Sequence, residues 1–508
     1  MKVISISTDS KIFKEGSAVR QRIVEYGKLF EKLDIVVFSK RDTENELRVT
    51  KIAENVFVYP TNSRNKLFYV WDAFLIIRKL IENYKLKIEN SGNVVITSQD
   101  PFETGIIGLI IKFFYKLPFQ VQVHTDFMNR YFITHSVLNF IRFPLGLFVL
   151  SFADSVRCVS ERVAKSIHTL SHNISVLPVQ TELKEREVET GEDSKKITFL
   201  TVARLEKEKD LGTAIKAFKQ AVDNGVEAEF VIVGDGSQRR SLEALAKSLE
   251  LGDEVKFVGW QKNLEEFYGR AHIYLSTSLY EGYGMSMVEA AQYGLPLVIS
   301  DAGVAGELFF DKQEAFVLKP KNIRGFIEAM IQLAENADLR DIMGSKAKVA
   351  AQNSLVFGEK YLEKYQDSVY QAKTHHAQNL NIFKKNILAR YLVAGFTGAG
   401  TNIGLLYILT DIVGIWYLYS SAMSFVVAVV VSFMLQKFWT FADQNVEKVH
   451  HQFARFLGVA LFGIIINTAC MFFLVDVIGL WYILAQIITG ALIAIINFLM
   501  YKFLIFNK

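Results

Sequence analysis

Residues 280–299 read Y-E-G-Y-G-M-S-M-V-E-A-A-Q-Y-G-L-P-L-V-I, a pattern of a glycine turn, a short helix and a buried strand. Its turn, Gly282-Tyr283-Gly284, leaves backbone N–H groups open to a ligand and leads into a helix N-terminus, which favours anions. Glu281 lies in the turn, and Glu289 follows about two helical turns later. Both carboxylates can therefore face one cleft and accept hydrogen bonds from hydroxyls. The pattern predicts a site for a sugar phosphate.

Short apolar strands alternate with helical segments on both sides of this stretch. Strands are predicted at 1–7, 35–38, 56–59, 94–97, 120–123, 155–159 and 174–177, and then at 197–202, 229–233, 255–258, 272–276, 297–300 and 315–318. This alternation predicts an α/β protein with two parallel, doubly wound sheets. The charged segment Glu182–Lys196 is typical of an interdomain linker. We therefore predict Rossmann-like domains at 1–180 and 197–355, and a closing helix and linker at 356–378.

The two glutamates within E-G-Y-G-M-S-M-V-E-A resemble the donor motif of the retaining family 4 glycosyltransferases, which have the GT-B fold of two Rossmann-like domains. The resemblance implies a hexosyltransferase with a nucleotide sugar as its substrate and no cofactor. Attack would come from the front face, with a leaving-phosphate oxygen accepting the proton and no protein nucleophile. Glu281 would hold sugar hydroxyls, Glu289 would hold the ribose, and the backbone of Gly282, Tyr283, Gly284 and Met285 would donate to the sugar and phosphate.

Two cations lie where ligands bind in doubly wound sheets, at the ends of strands. Arg204 ends the first strand of the second domain, and Lys209 lies five residues further on, just before a helix. The pair resembles the family's arginine and lysine that grip the diphosphate; the alternative is two solvated loop cations. The chain contains no Asp-x-Asp triplet, which favours fixed cations over a metal ion for neutralising the leaving diphosphate. No metal site is predicted.

Three further positions resemble the family's cleft residues. Gly234 and Gly236 form a glycine turn after a strand, like the turn near the nucleotide. Gly16 and Ser17, in the first strand-to-helix loop, match the loop that approaches the phosphates. His124, in V-H-T-D, resembles the active-site histidine that contacts the sugar; the alternative is a structural hydrogen-bonding histidine. The predicted catalytic residues are therefore His124, Arg204, Lys209 and Glu281.

The last quarter of the chain is dominated by four apolar segments of membrane-spanning length, at 391–410, 417–435, 456–475 and 481–500. Lys and Arg are absent from the connections 411–416 and 476–479 and occur at the other segment ends. By the positive-inside rule both termini face the cytosol. The fold class is therefore a GT-B α/β protein followed by an all-α, four-helix transmembrane domain at 385–508, and the chain is a multi-pass protein of the cell membrane.

This membrane domain is an internal duplication, since nine residues from Arg390 to Phe441 recur 65 positions later, for example Arg390 as Arg455 (455 − 390 = 65). It resembles the GtrA-like family, which is associated with the translocation of polyprenyl-phosphate-linked sugars. Asn402 and Asn467 lie within predicted spans, where they contact either a partner helix or a substrate. Four spans leave little room for an enclosed path, so translocation would need a homodimer or a groove open to lipid.

Composition excludes other classes. The net charge of +4 includes no continuous basic tract, which argues against nucleic acid, and two cysteines exclude a disulfide framework. The apolar run 137–152, broken by Arg142 and Pro144, fits either a buried helix pair or a surface that meets lipid. We expect a membrane-anchored glycosyltransferase that moves a sugar to a lipid-linked or membrane-proximal acceptor in cell-envelope polysaccharide or glycolipid synthesis. The alternatives are a lipid-linked sugar transporter regulated by its soluble half, and a glycosyltransferase with a purely anchoring membrane domain.

Overall fold

The computed structural model describes residues 1–42, 47–84, 93–171, 173–179, 196–354, 358–385, 387–441, 443, 449–479 and 482–506. The chain divides into two compact units, Met1–His376 and Ala377–Lys508. The first unit contains two sheets with helices around them, and the second is helical. Of the predicted linker Glu182–Lys196, only Lys196 lies within the described residues.

The first sheet has eight strands in the order β3-β4-β2-β1-β5-β6-β7-β8, and every neighbouring pair is parallel except β3 and β4. Its core strands are buried because they consist largely of Val and Ile. The strands are β1 (Lys2–Ser7), β2 (Lys32–Val37), β3 (Thr50–Ala53), β4 (Val56–Pro60), β5 (Val94–Ser98), β6 (Phe119–Val123), β7 (Ser155–Cys158) and β8 (Ile174–Val176). The helices are α1 (Ala18–Gly27), α2 (Tyr69–Asn83), α3 (Glu103–Tyr115), α4 (Arg130–His135), α5 (Val137–Ser151) and α6 (Glu161–Ile167).

The second sheet has six parallel strands in the order β11-β10-β9-β12-β13-β14, so its strand order reverses between β9 and β12. Apolar clusters cover both of its faces. The strands are β9 (Ile197–Val202), β10 (Ala228–Val233), β11 (Val255–Gly259), β12 (Ile273–Ser276), β13 (Leu297–Ser300) and β14 (Ala315–Leu318). The helices are α7 (Leu211–Asp223), α8 (Arg239–Ser248), α9 (Glu265–Arg270), α10 (Met285–Gln292), α11 (Ile323–Glu335) and α12 (Ala337–Ser354). Two doubly wound sheets confirm the predicted α/β class.

The next helix, α13 (Gly358–Lys385), returns to the first sheet. The ring of Tyr365 stacks on Tyr26 of α1 with centroids 4.0 Å apart. Further along, His376 Nδ1 lies 2.9 Å from the buried carboxylate of Asp154, which also pairs with Lys112 at 2.6 Å. The beginning of α13 is therefore fixed to the first domain by both apolar and polar contacts.

The apolar run 137–152, which Arg142 and Pro144 interrupt in composition, forms one helix, because α5 continues through the proline from Val137 to Ser151. Arg142 on this helix pairs with Glu103 at 2.8 Å, and Phe143 packs on the core of the first domain. These tertiary contacts hold the helix although proline removes one N–H donor from it.

In the part of the second unit that the structure describes, four main helices overlap the four predicted apolar segments. They are α14 (Ile387–Tyr407), α15 (Tyr417–Met434), α16 (Val449–Phe472) and α17 (Tyr482–Met500). Among the described residues, two stretches, Tyr419–Thr440 and Val449–Asn467, are long and apolar enough to cross a membrane. That the chain crosses the membrane four times therefore stays a prediction.

Contacts in this unit recur at the spacing found in the sequence. Arg390 Nη1 donates to the carbonyl of Trp439 at 2.7 Å, and Arg455 Nη1 donates to the carbonyl of Leu504 at 3.2 Å, where both partners are shifted by 65 (455 − 390 and 504 − 439). Short π-helical segments at Ile408–Ile412 and Phe473–Val477 are related in the same way (473 − 408).

Candidate active site

The predicted donor residues of the second domain follow three neighbouring strands. Arg204 and Lys209 follow β9, Gly234 and Gly236 follow β10, and Glu281 follows β12. These strands are adjacent in the sheet and parallel, so their carboxyl ends share one edge. The point between β9 and β12, where the strand order reverses, is where ligands bind in this class of sheet.

Lys209 and Glu281 form an ion pair at this edge, with side chains only 15% and 16% exposed. The hydroxyl of Ser278 also donates to Glu281 Oε1, at 2.8 Å. The loops that carry the pair are joined to each other, because Thr277 Oγ1 donates to the carbonyl of Lys209 at 3.0 Å. A half-buried ion pair is screened less than a surface pair, so the charges of this lysine and glutamate act strongly on a neighbouring ligand.

Arg204 has a different environment. Its side chain is 75% exposed and pairs with Glu208 at 2.9 Å, so the structure does not bring its guanidinium to Glu281. The glycines beside it are required by packing: a Cβ on Gly234 would lie 1.9 Å from the carbonyl oxygen of Ala203, and one on Gly236 would lie 2.5 Å from that of Leu205. The close approach of two backbones explains these glycines without a ligand, and their donor contact stays a prediction.

The glycine turn after β12 lies directly against the first domain. A Cβ on Gly282 would lie 1.9 Å from the carbonyl oxygen of His124, and Ser160 Oγ donates to the Gly282 carbonyl at 2.8 Å. Gly284 has a φ of +94°, which a side chain would disfavour, and it precedes the first turn of α10. The turn therefore brings the predicted sugar-contacting histidine and the predicted donor loop together.

The side chains of the turn do not all face a ligand. The ring of Tyr283 is only 5% exposed and packs in the core, where burial raises the pKa of its hydroxyl to about 12. Met285 is half-buried and packs against the same core. Only the backbone groups of these two residues are suited to the predicted donor contacts.

Glu289 lies on α10 and accepts a hydrogen bond from the Tyr268 hydroxyl at 2.9 Å. Tyr274 lies close to both predicted glutamates: burial raises the pKa of its hydroxyl, and the negative charges of Glu281 and Glu289 also raise it. Its hydroxyl donates to Ser286 Oγ at 2.7 Å. Both carboxylates therefore lie near Tyr274, a neighbour that the sequence did not indicate, and the prediction that they face one cleft stays a prediction.

His124 is held as a neutral imidazole. Its Nε2 lies 3.1 Å from Gln122 Oε1, which also accepts from Arg157 Nη1 at 3.1 Å. Because a guanidinium only donates, the carboxamide oxygen must face Arg157, and His124 must donate from Nε2, which leaves Nδ1 as an acceptor. Burial, together with the smaller effect of the positive charges of Arg157 and Arg22, lowers the pKa of His124 to about 3.

In the first strand-to-helix loop, the predicted residues Gly16 and Ser17 shape the loop and cap the helix that follows. Gly16 has a φ of +71°, and a Cβ at this position would have no heavy atom within 4 Å, so its conformation rather than its packing favours glycine. Ser17 Oγ accepts from Arg20 N at 3.2 Å, which caps α1, and donates to the Lys11 carbonyl at 2.8 Å. The two residues lie beyond the carboxyl end of β1, and their predicted phosphate contact stays a prediction.

Sequence reasoning missed the residues that join the two domains at this site. Arg162 Nε donates to the Gly303 carbonyl at 3.0 Å, and the same guanidinium pairs with Asp301. The backbone N–H groups of Glu161 and Arg162 donate to Glu307, both at 3.1 Å. The partners are separated by 139 to 146 positions, so no local pattern could have indicated them.

In the helical unit, Ser424 Oγ of α15 donates to Asn402 Oδ1 of α14 at 2.8 Å. This contact favours the helix-packing interpretation for Asn402. Asn467 lies at the corresponding position of α16. In the part of the chain that the structure describes, no group of three His, Cys, Asp or Glu side chains has the arrangement of metal ligands.

Comparison with known families finds a match for each part of the chain. Residues 184–350, which include Arg204, Lys209, Glu281 and Glu289, match the family model described as glycosyl transferases group 1. Residues 390–506 match the model described as GtrA/DPMS, transmembrane domain. One chain therefore combines a stretch similar to group 1 glycosyl transferases with a stretch similar to the GtrA/DPMS transmembrane domain.

Individual relatives match the glycosyl transferase part. The alpha-monoglucosyldiacylglycerol synthase of Streptococcus pneumoniae is 23% identical over 297 residues, covering 54% of this chain and 66% of that protein. The UDP-Gal:alpha-D-GlcNAc-diphosphoundecaprenol alpha-1,3-galactosyltransferase of Escherichia coli is 24% identical over 297 residues, covering 55% and 75%. The chain spans between 37% and 66% of the length of the pneumococcal protein and four other curated relatives.

Among solved structures, the sucrose-phosphate synthase from Thermosynechococcus elongatus is similar over 75% of this chain and 100% of its own length, with a TM-score of 0.59 and 16% identity. A likeness at this identity shows the fold. Together with the two doubly wound sheets, it confirms the predicted GT-B architecture of the first unit.

Proposed function

We propose that the protein is a membrane-anchored, retaining hexosyltransferase that moves a sugar from a nucleotide-sugar donor to a lipid-linked or membrane-proximal acceptor. The observation that carries this proposal is the Lys209–Glu281 ion pair beside a glycine turn that lies against His124. At the carboxyl ends of these strands, a cation and backbone N–H groups can bind the diphosphate, and a carboxylate can accept hydrogen bonds from the sugar hydroxyls.

In the proposed reaction, the acceptor hydroxyl oxygen attacks the anomeric carbon while the bond from that carbon to the diphosphate oxygen breaks. The oxygen attacks from the face that the diphosphate leaves, so the configuration is retained without a protein nucleophile, and the departing phosphate oxygen takes the hydroxyl proton. Lys209, Arg204 and the N-terminus of α10 stabilise the charge that develops on the diphosphate, without a metal ion. Addition of EDTA is therefore expected to leave turnover unchanged.

The remaining predicted residues hold the donor. Glu281 accepts from sugar hydroxyls, Glu289 accepts from the ribose, and neutral His124 contacts the sugar. The backbones of Gly16, Ser17, Gly234 and Gly236 approach the nucleotide and phosphates. Because the imidazole is neutral, it acts as a hydrogen-bonding group and not as a cation toward the diphosphate.

The membrane half supports an acceptor in or near a lipid bilayer. The name of the pneumococcal relative specifies the synthesis of a monoglucosyldiacylglycerol, and that of the Escherichia coli relative specifies a GlcNAc-diphosphoundecaprenol substrate. For this chain we propose four spans in two tandem repeats, with the soluble domains and both termini in the cytosol, and a role in cell-envelope polysaccharide or glycolipid synthesis. A homodimer through the membrane domain would provide a path for translocating a polyprenyl-phosphate-linked sugar.

The experiment that tests the enzyme measures the release of nucleoside diphosphate by the purified full chain, against a panel of nucleotide sugars and with a membrane lipid extract as acceptor. We expect one donor to be turned over, and Glu281→Gln to abolish that turnover. The matched control is Glu328→Gln, which removes a carboxylate from an exposed surface ion pair on α11 and should leave the rate unchanged. Lipid-dependent turnover that survives Glu281→Gln would contradict the proposed site.

The role of the membrane half is tested by replacing residues from Lys385 onward with an unrelated four-span domain. Full activity in cells carrying the replacement would identify a pure anchor. Loss of the cellular product, with donor turnover in vitro unchanged, would support translocation.

A further inference from the structure

The first domain contains a cavity of about 150 Å³ between its sheet, α1 and α13. His124 lies in its wall, and so do the side chains of Arg157, Arg22, Gln122 and Asp9. A site for one water molecule needs roughly 10 to 15 Å³ by the same measure, so the cavity can hold a group about ten times as large. It is separate from the Lys209–Glu281 ion pair, which belongs to the second domain.

Arg157 is a buried cation in the wall of this cavity. It lies on β7 and is only 3% exposed. Its Nη1 donates to Gln122 at 3.1 Å and its Nη2 lies 3.5 Å from the Tyr361 hydroxyl, while its Nε is buried without a hydrogen-bond partner. Among the described residues, no carboxylate pairs with it. A charge removed from water without a counter-charge is costly, so this position calls for an anion.

Arg22 brings a second positive charge to the same cavity from α1. It is half-buried, and within the described part of the chain it forms no ion pair. The carboxylate in the lining is Asp9, whose Oδ1 accepts from the backbone N–H of Lys11 at 3.0 Å. His124 contributes no charge, because its imidazole is neutral. The lining therefore carries two arginines against one carboxylate.

A purely structural role accounts for only part of this arrangement. The Arg157 guanidinium lies 5.2 Å from the centre of the Tyr365 ring on α13, so it helps to hold that helix to the sheet. A cation–π contact and hydrogen bonds to neutral groups do not neutralise the charge, however, and they leave Nε without a partner. A neutral side chain would hold the helix without the cost of a buried charge.

We propose that this cavity binds a phosphate group of the acceptor through Arg157 and Arg22. The planar guanidinium matches the geometry of phosphate oxygens, and two such groups on different elements can hold one phosphate from two sides. The cavity includes His124, which lies against the donor turn, so a phosphate held here would fix the acceptor beside the sugar. That the phosphate belongs to the acceptor rests on the proposed glycosyl transfer. The existence of an anion site does not depend on that proposal.

The test is calorimetric titration of inorganic phosphate into the full chain in detergent. All measurements use the Lys209→Met background, which weakens phosphate binding at the donor side, where Arg204 and the N-terminus of α10 remain. We expect phosphate to bind, and Arg157→Gln or Arg22→Gln to weaken binding by about 10-fold to 100-fold, the usual effect of losing a charge-assisted hydrogen bond. Arg20→Gln is the matched control, since Arg20 lies on the same helix but outside the cavity lining, and it should bind as before.

Absence of phosphate binding, or binding that neither arginine substitution weakens, would overturn the proposal. If Arg157→Gln fails to fold, Arg22→Gln decides alone, because Arg22 is only half-buried. Competition then identifies the source of the phosphate: displacement by farnesyl phosphate indicates a lipid phosphate, and displacement by a hexose 1-phosphate indicates a soluble one. Displacement by neither would overturn the acceptor role. Failure of the proposed function has a different result, namely phosphate binding without turnover of any nucleotide sugar.

Discussion

Replacing Lys209 by methionine removes one charge from the predicted diphosphate site while keeping most of the side-chain volume. Two unit charges about 4 Å apart interact by about 4 kcal/mol at the effective dielectric constant typical near a protein surface. Lys209 is 15% exposed, so water screens part of this energy, and the backbone donors of the glycine turn remain. We therefore expect a loss of about 2 to 3 kcal/mol of transition-state stabilisation, or about 30-fold to 150-fold in kcat/KM.

The assay is steady-state release of nucleoside diphosphate with the preferred donor, together with the Kd of that nucleoside diphosphate. Lys219→Met is the matched control, because Lys219 forms its ion pair with Asp223 on the surface of α7. The double variant Lys209→Met with Glu281→Gln should lose less than the sum of the two single effects, because the two groups form one ion pair. A change in kcat/KM of less than about 3-fold for Lys209→Met, or an equal loss in the control, would refute this account of the site.

Three further results are expected. Gly282→Ala should lower kcat/KM and destabilise the first unit by about 1 to 3 kcal/mol in thermal unfolding, because the added Cβ would lie 1.9 Å from the His124 carbonyl oxygen. Gly269→Ala is the control and should destabilise the unit far less, because a Cβ added there would have no heavy atom outside its own helix backbone within 4 Å. Neutral His124 should give no ionisation in the kcat/KM profile between about pH 5 and pH 8, and a step near the ordinary histidine pKa that His124→Gln removes would contradict this. Burial alone would raise the pKa of Asp154, but its hydrogen bond to His376 and the nearby positive charge lower that pKa below 3.8. The free energy of unfolding lost in Asp154→Asn should therefore be constant above that pH and should shrink as the pH falls through the folded-state pKa. A stability difference that instead shrinks as the pH rises would have the wrong sign.

The sheet architecture and the glycine turns at the strand ends could be predicted from the sequence because their signals are local. Buried Val and Ile strands have a distinct composition, and glycine with a φ of +94° at Gly284 is required by the backbone itself. The spacing of Glu281 and Glu289 on a turn and the following helix likewise depends only on helical geometry. For these residues the nearest neighbours in sequence determine the conformation.

The rest depends on partners that are distant in sequence. Asp154 meets His376 across 222 positions, and Arg157 meets the Tyr361 hydroxyl across 204. The role of Arg157 could not be predicted, because an arginine in a strand has no local sign of burial. The continuation of α5 through Pro144 could not be predicted for the same reason, since the contacts that maintain this helix come from other elements.

The most direct test of the central claim uses a donor labelled in its sugar. The purified full chain is incubated with the labelled nucleotide sugar and a membrane lipid extract, and the label that partitions into chloroform is counted. We predict lipid-extractable label that requires Lys209 and Glu281, with the product carrying the same anomeric configuration as the donor. Label that stays in the aqueous phase with every donor of the panel would contradict the claim that the protein glycosylates a lipid-linked or membrane-proximal acceptor.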